Sequence, residues 1–191
     1  MSKLGSVELG EKFFKLRDYT PAPLLVLMVF INQPTVLTAT VGTLLVLLGQ
    51  LLRIYSVAFI GSISRTRKES LGARLVTTGP FGVVRNPLYV ANACMVVGIS
   101  VYTSQFWFVI VSLLGFAFQY YHIVLFEEGL LLREFGEEFE DYRSRVPRWI
   151  PNQVPNLEDL ELPSSILPAV MSERRTMTAL LVVLVLLIAT S

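Results

Sequence analysis

The sequence predicts an all-α integral membrane protein of about five transmembrane helices with a cytosolic amphipathic helix and loops gathered on one side. Three observations carry this. The composition is 53% hydrophobic and only 16% charged over 191 residues, with a mean hydropathy of +0.58, which is far more apolar than a soluble domain of that length. The charges are segregated: no Lys, Arg, Asp or Glu lies between Asp18 and Arg53, between Arg85 and Glu127, or after Arg175. The turns expected near Gln33 and Ser104 carry no charge, while the 16 Lys and Arg fall toward the other side. That bias puts the N-terminus and the polar loops in the cytosol.

Each element follows from local chemistry. Residues 19–52 hold two helices, the first a short one starting at Pro21 and Pro23, with Phe13 and Phe14 as an interfacial lead-in. No small-x-small cleavage site follows it, so it is expected to stay as an anchor. Asn32, Gln33 and Pro34 separate it from the second helix, which runs past Arg53 toward Gly61, with Arg53 snorkelling to the interface. One span takes roughly 20 residues, so the 41 residues from 86 to 126 hold a helical hairpin turning at Thr103, Ser104 and Gln105. Beyond Glu128, Leu131, Phe135, Phe139, Tyr142 and Val146 form one apolar stripe opposite Arg133, Glu137, Glu138, Glu140, Asp141 and Arg145. The fourth helix is therefore expected to continue as an amphipathic helix and stop at Val146, before Pro147. A helix lying on the membrane surface explains that stripe equally well. Pro147, Pro151, Pro155, Pro163 and Pro168 keep the next stretch largely non-helical, and residues 176–191 make a short fifth span or a buried anchor. The chain thus reads as one membrane domain: an N-terminal hairpin (1–61), a core (62–151), and a loop with a C-terminal helix (152–191).

Two polar segments, 62–85 and 127–175, flank the central hairpin and meet at its mouth. In LVTTGPFGVVRNPLYV, Gly79, Pro80 and Gly82 build a turn, Asn86 can cap the next helix, and Pro87 suits its first turn. Arg85 and Tyr89 then stand four residues apart at the interface, as lipid anchors or as site residues. Glu127 and Glu128 follow about twenty uncharged residues of helix, and carboxylates there either reach water or take a cation. Arg85 and Arg74 are the available cations. His122, the only histidine, is either a packing residue or a functional group at depth. With a single cysteine, Cys94, it cannot build a structural zinc site, and no metal is expected. A net charge of +1 gives no support for nucleic-acid binding, and the absence of any GxG leaves no dinucleotide fingerprint.

Taken together, LVTTGPFGVVRNPLYV and EEGLLLREFGEEFEDYRSRVPRWIP resemble the paired signature of the membrane-embedded methyltransferases. These include isoprenylcysteine carboxyl methyltransferase and the phospholipid (phosphatidylethanolamine) N-methyltransferases. The resemblance implies S-adenosyl-L-methionine as cofactor, in a pocket formed by the cytosolic loops and helix ends. By position it implies cofactor contacts at Arg74, Leu75, Val76, Phe81, Asn86, Pro87, Leu88, Tyr89 and Glu127, with Arg85 meeting the cofactor carboxylate. If a general base is needed, His122 and Glu128 come first. The implied partners are the lipid bilayer and a lipid-like or prenylated acceptor, in the plasma membrane of a prokaryote or the endoplasmic reticulum of a eukaryote. Two departures bear on the acceptor. Asn86 stands where the prenylcysteine enzymes usually have histidine, and Tyr121, His122 and Ile123 occupy the stretch where those enzymes carry an arginine. Amine and carboxyl acceptors therefore both stay open. The rival readings are a lipid or sterol reductase of related architecture using a nicotinamide cofactor, and a non-catalytic small membrane transport or assembly protein.

Overall fold

The computed structural model describes residues 3–60, 74–152 and 161–191. The first polar segment up to residue 73 and residues 153–160 of the proline-rich loop lie outside it. Every regular element among the described residues is helical: α1 (Lys3–Leu16), α2 (Ala22–Ile31), α3 (Val36–Ile60), α4 (Pro80–Val83), α5 (Pro87–Tyr102), α6 (Phe106–Phe135), α7 (Glu137–Arg145) and α8 (Leu167–Ala189).

Two of these, α3 with 25 residues and α6 with 30, are long and apolar enough to cross a membrane. The apolar helices α2 and α5 have 10 and 16 residues, about 15 and 24 Å at 1.5 Å per residue, against a hydrocarbon core of about 30 Å. Helix α8 starts at Leu167, ahead of the uncharged run, with a proline in its first turn and with Glu173, Arg174 and Arg175 inside it. Phe30, Val36, Leu37, Leu44, Phe106, Leu114 and Leu181 are exposed on the outer faces, an apolar surface suited to lipid chains.

Helix α3 packs along α5, α1 along α6, α5 against α6, and α8 against α3 and α2. The α3–α5 contact brings backbone onto backbone. A Cβ on Gly98 would stand 2.7 Å from the Gly42 carbonyl oxygen, and one on Gly42 would stand 2.6 Å from the Gly98 carbonyl oxygen. Small residues are what permit such an approach between apolar helices. Met28, Tyr102, Phe108 and Leu187 form a core cluster at the end holding the α2–α3 and α5–α6 turns. There Asn32 Nδ2 donates to the Leu187 carbonyl at 2.7 Å, and the Thr38 and Ser104 hydroxyls lie 2.7 Å apart. A second cluster, Phe14, Ile123, Phe126 and Leu130, seats α1 on α6. Phe14 is thus a core residue of a packed helix.

The expected continuous helix through Val146 is interrupted. Gly136 has φ of 52° and separates α6 from α7, a left-handed conformation that glycine adopts without a Cβ clash. The change of direction turns Phe139 and Tyr142 inward, where both are buried.

Candidate functional site

A cavity of about 650 Å³ lies where the two polar segments meet, within the roughly 300–1,000 Å³ typical of small-molecule sites. Arg74, Leu75 and Val76 line it from the chain leading into α4, and the single turn of α4 presents Phe81. Arg85, Asn86, Pro87, Leu88 and Tyr89 line it at the start of α5, and Glu127 and Glu128 from α6. Leu131, Phe135, Phe139 and Tyr142 also face it. Four of the five residues of the apolar stripe therefore wall a cavity.

The two adjacent carboxylates have different partners, because neighbouring residues on a helix point about 100° apart. Glu127 Oε1 accepts from the Tyr89 hydroxyl at 2.7 Å. Glu128 takes the cations: its Oε1 accepts from Arg85 Nη2 at 2.9 Å and Arg148 Nε at 3.0 Å, and its Oε2 from Arg148 Nη2 at 2.6 Å. Both Glu128 oxygens are thus held by guanidinium donors. Arg85 Nη1 donates to the carbonyls of Arg143 and Val146, and its backbone N–H donates to Pro147 O at 2.8 Å. Asn86 makes no side-chain cap; its Nδ2 donates to the Arg148 carbonyl at 3.2 Å. Arg85 and Asn86 together hold the segment that follows α7.

Tyr142 completes this anchorage, its hydroxyl donating to the Phe81 carbonyl at 2.7 Å. Burial pushes the Tyr142 phenol well above its ordinary range, so it stays protonated and donating at neutral pH. The stability tied to it is intact below the unfolded phenol value of about 10 and is lost as pH climbs through the raised folded value. Tyr142→Phe is expected to lower stability by about 1–2 kcal/mol, by leaving a buried carbonyl without its donor; the melting temperature in neutral detergent measures it.

His122 is the sequence candidate that does not line the cavity. It lies five residues before Glu127, about 140° around α6. That direction faces α1, where His122 is buried beside the rings of Phe13, Phe118 and Tyr121 with Nδ1 2.7 Å from the Phe118 carbonyl oxygen. The cavity also has walls that the stretches LVTTGPFGVVRNPLYV and EEGLLLREFGEEFEDYRSRVPRWIP do not contain. Phe14, Arg17 and Asp18 come from the end of α1 and the turn after it, Arg53 from α3, Asn92 and Tyr120 from the central hairpin, and Arg175 and Thr176 from α8. Arg53 is paired within the bundle. Its Nε and Nη2 donate to the two carboxylate oxygens of Glu173 at 2.9 and 3.0 Å, and its Nη1 to Asn92 Oδ1 at 2.5 Å. The signal available for this pair was a cation and an acid placed in two separate, mostly apolar helices.

A family model for phospholipid methyltransferase matches residues 37–138, from the start of α3 into α7. Two relatives carry metal-resistance names. The nickel-cobalt-cadmium resistance protein NccN of Alcaligenes xylosoxydans xylosoxydans is 35% identical over 112 residues, 59% of this chain and 49% of its own length. The cobalt-zinc-cadmium resistance protein CzcN of Cupriavidus metallidurans is 32% identical over 115 residues, 60% of this chain and 50% of its own. The chain spans about half the length of these curated relatives. No solved structure matches. The match over more than half of the chain, taking in the first polar segment and the start of the second with Glu127 and Glu128, makes this protein a member of the phospholipid methyltransferase family.

Proposed function

We infer that the protein transfers a methyl group from S-adenosyl-L-methionine to a lipid-like or prenylated acceptor held in the membrane. The observation that carries this reading is the convergence of both signature segments on one cavity of about 650 Å³. The residues there fit such a donor: Glu127 and Tyr89 offer a carboxylate and a phenol to its polar groups, and Phe81, Leu75 and Val76 offer apolar surface. When bound, S-adenosylmethionine supplies the electrophilic methyl group. The chain's own contribution is orientation and the exclusion of water, which account for much of the rate in a displacement of this kind. Helix α7, held by Tyr142 and by the Arg85 and Asn86 contacts to the segment after it, supplies Phe139 and Tyr142 to one side of the cavity. In this reading α2, α5 and α8 join α3 and α6 as five spans, the N-terminus and the cavity face the cytosol, and residues 62–151 form the core.

Membranes containing the protein, exposed to methyl-labelled S-adenosylmethionine, are expected to gain label in a lipid or lipidated peptide. Base-released methanol identifies a carboxyl ester, and base-stable label on a head group identifies an amine. Glu127→Ala is expected to weaken cofactor binding by about tenfold or more, the effect of losing a charge-assisted hydrogen bond or two. Unchanged cofactor affinity in that variant would remove Glu127 from the site. The names of the two relatives favour a second reading, a membrane component that supports metal tolerance. Nickel, cobalt and cadmium sensitivity of a deletion strain, complemented with the native protein or with Glu127→Ala, separates a methylation-dependent contribution from a non-catalytic one.

A further inference from the structure

Resting on that methyltransferase reading, we propose that the deep end of the cavity is the acceptor subsite. There Arg53 docks an oxyanion, phosphate or carboxylate, on the head group of a membrane lipid, and Glu173 of α8 is its positioning residue. Tyr120 lies seven residues before Glu127 on α6, about 10 Å deeper along the helix, and Asn92 lies about one turn beyond Tyr89 on α5. Both line the cavity together with Arg53. They are joined to one another: Asn92 Nδ2 donates to the Tyr120 hydroxyl at 3.3 Å, and Asn92 Oδ1 accepts from Arg53 Nη1 at 2.5 Å. None of the three belongs to the residues assigned to the methyl donor.

A guanidinium carries five N–H donors. In Arg53 three are engaged, two by Glu173 and one by Asn92, which leaves two for a ligand. The Arg53 side chain is 18% exposed and that of Glu173 is 0% exposed, so a buried carboxylate fixes the plane of a guanidinium that still lines the cavity. A fork held at one edge and open at another is the geometry that receives a planar or tetrahedral oxyanion.

Charge points the same way. Among the described residues the cavity wall carries Arg17, Arg53, Arg74, Arg85 and Arg175 against Asp18, Glu127 and Glu128. Counting the partners behind the wall, Arg148 and Glu173, leaves the arginines in excess. A sulfonium donor adds positive charge, and an anionic acceptor offsets it. Ala179 of α8, four residues past Arg175 and away from the mouth, adds apolar wall to the same cavity, suited to the start of an acyl or prenyl chain. Glu173 lies outside residues 37–138, so the orienting group comes from beyond the family-matched part of the chain.

The test uses the full chain in neutral detergent, with and without S-adenosylmethionine. It is titrated with short-chain phosphatidic acid against the matching diacylglycerol, with farnesylcysteine against its methyl ester, and with inorganic phosphate. At least one charged lipid is expected to bind about tenfold or more tightly than its neutral counterpart, and more tightly than inorganic phosphate. The neutral double variant Arg53→Gln/Glu173→Gln is expected to erase that difference while donor affinity holds. Glu173→Gln alone is expected to weaken the charged lipid without changing the donor. Should the double variant fail to fold, Asn92→Ala decides, with the same loss of discrimination expected. Wild type that ignores head-group charge, variants that keep the discrimination, or phosphate binding as tightly as lipid would each overturn the subsite. Arg53-dependent lipid binding by a protein that never binds S-adenosylmethionine would instead sink the methyltransferase reading and leave the subsite standing.

Discussion

Glu128→Ala is expected to destabilise the protein by about 3–5 kcal/mol, the cost of removing one partner from a buried ion pair. Here the removed group is shared by two cations. The Glu128 side chain is 9% exposed, with Arg85 at 10% and Arg148 at 29% on either side of it. Without the carboxylate, two guanidiniums face each other with no anion between them. The damage extends beyond the pair, because Arg85 also holds the carbonyls of Arg143 and Val146 and Arg148 continues the same segment. The seat of α7, whose Phe139 and Tyr142 line the cavity, is therefore expected to loosen as stability falls. Melting temperature in detergent measures the first effect. A second substitution, Arg148→Met, is expected to recover part of the loss by removing the repulsion, and the double-mutant cycle isolates the coupling. An Ala variant melting with wild type would show that the triad contributes nothing net.

Gly98→Val should be as damaging for a different reason. A Cβ at that position meets the Gly42 carbonyl oxygen at 2.7 Å and the Val46 backbone nitrogen at 2.8 Å, and neither can rotate away as a side chain tip would. The α3 and α5 axes must separate along their whole contact. The cost is expected at or beyond the upper end of the roughly 1–3 kcal/mol of ordinary overpacking. Gly115 on α6 is the control, since a Cβ there meets nothing within 4 Å. Gly115→Ala is expected to be neutral or stabilising by up to about 1 kcal/mol through helix propensity. Equal melting temperatures for the two variants would contradict the packing argument.

Turn positions were legible because they rest on local chemistry. Asn32 to Pro34 and Thr103 to Gln105 interrupt long uncharged runs, and α2 ends at Ile31 while α5 ends at Tyr102. The convergence of residues 74–89 with Glu127 and Glu128 on one cavity follows from the same hairpin. Gly136 was harder to read, since the apolar period runs smoothly through it and only its backbone dihedral reveals the break. Helix α1 was obscured by its charges, which hide the Phe14 face that packs on α6. The direction of His122 was available from helical geometry alone, because five residues place it well away from Glu127. The assignment of Arg85 to Glu128 instead of Glu127 was not, because it depends on how α5 rotates against α6. Arg53 and Glu173, 120 residues apart, carry no local signature of their pairing.

That separation has a consequence for biosynthesis. Helix α8 leaves the ribosome after the other seven described helices, yet it brings both the Glu173 carboxylate and the Leu187 carbonyl that Asn32 uses. At about 5–20 residues per second, the 120 residues between Arg53 and Glu173 amount to about 6–24 s. During that interval Arg53 stands in a nascent bundle without its carboxylate, and Asn32 without its acceptor. Docking of α8 therefore acts as the step that retires these open polar groups, and a chain stalled before it holds the Arg53 cation without the carboxylate that fixes it.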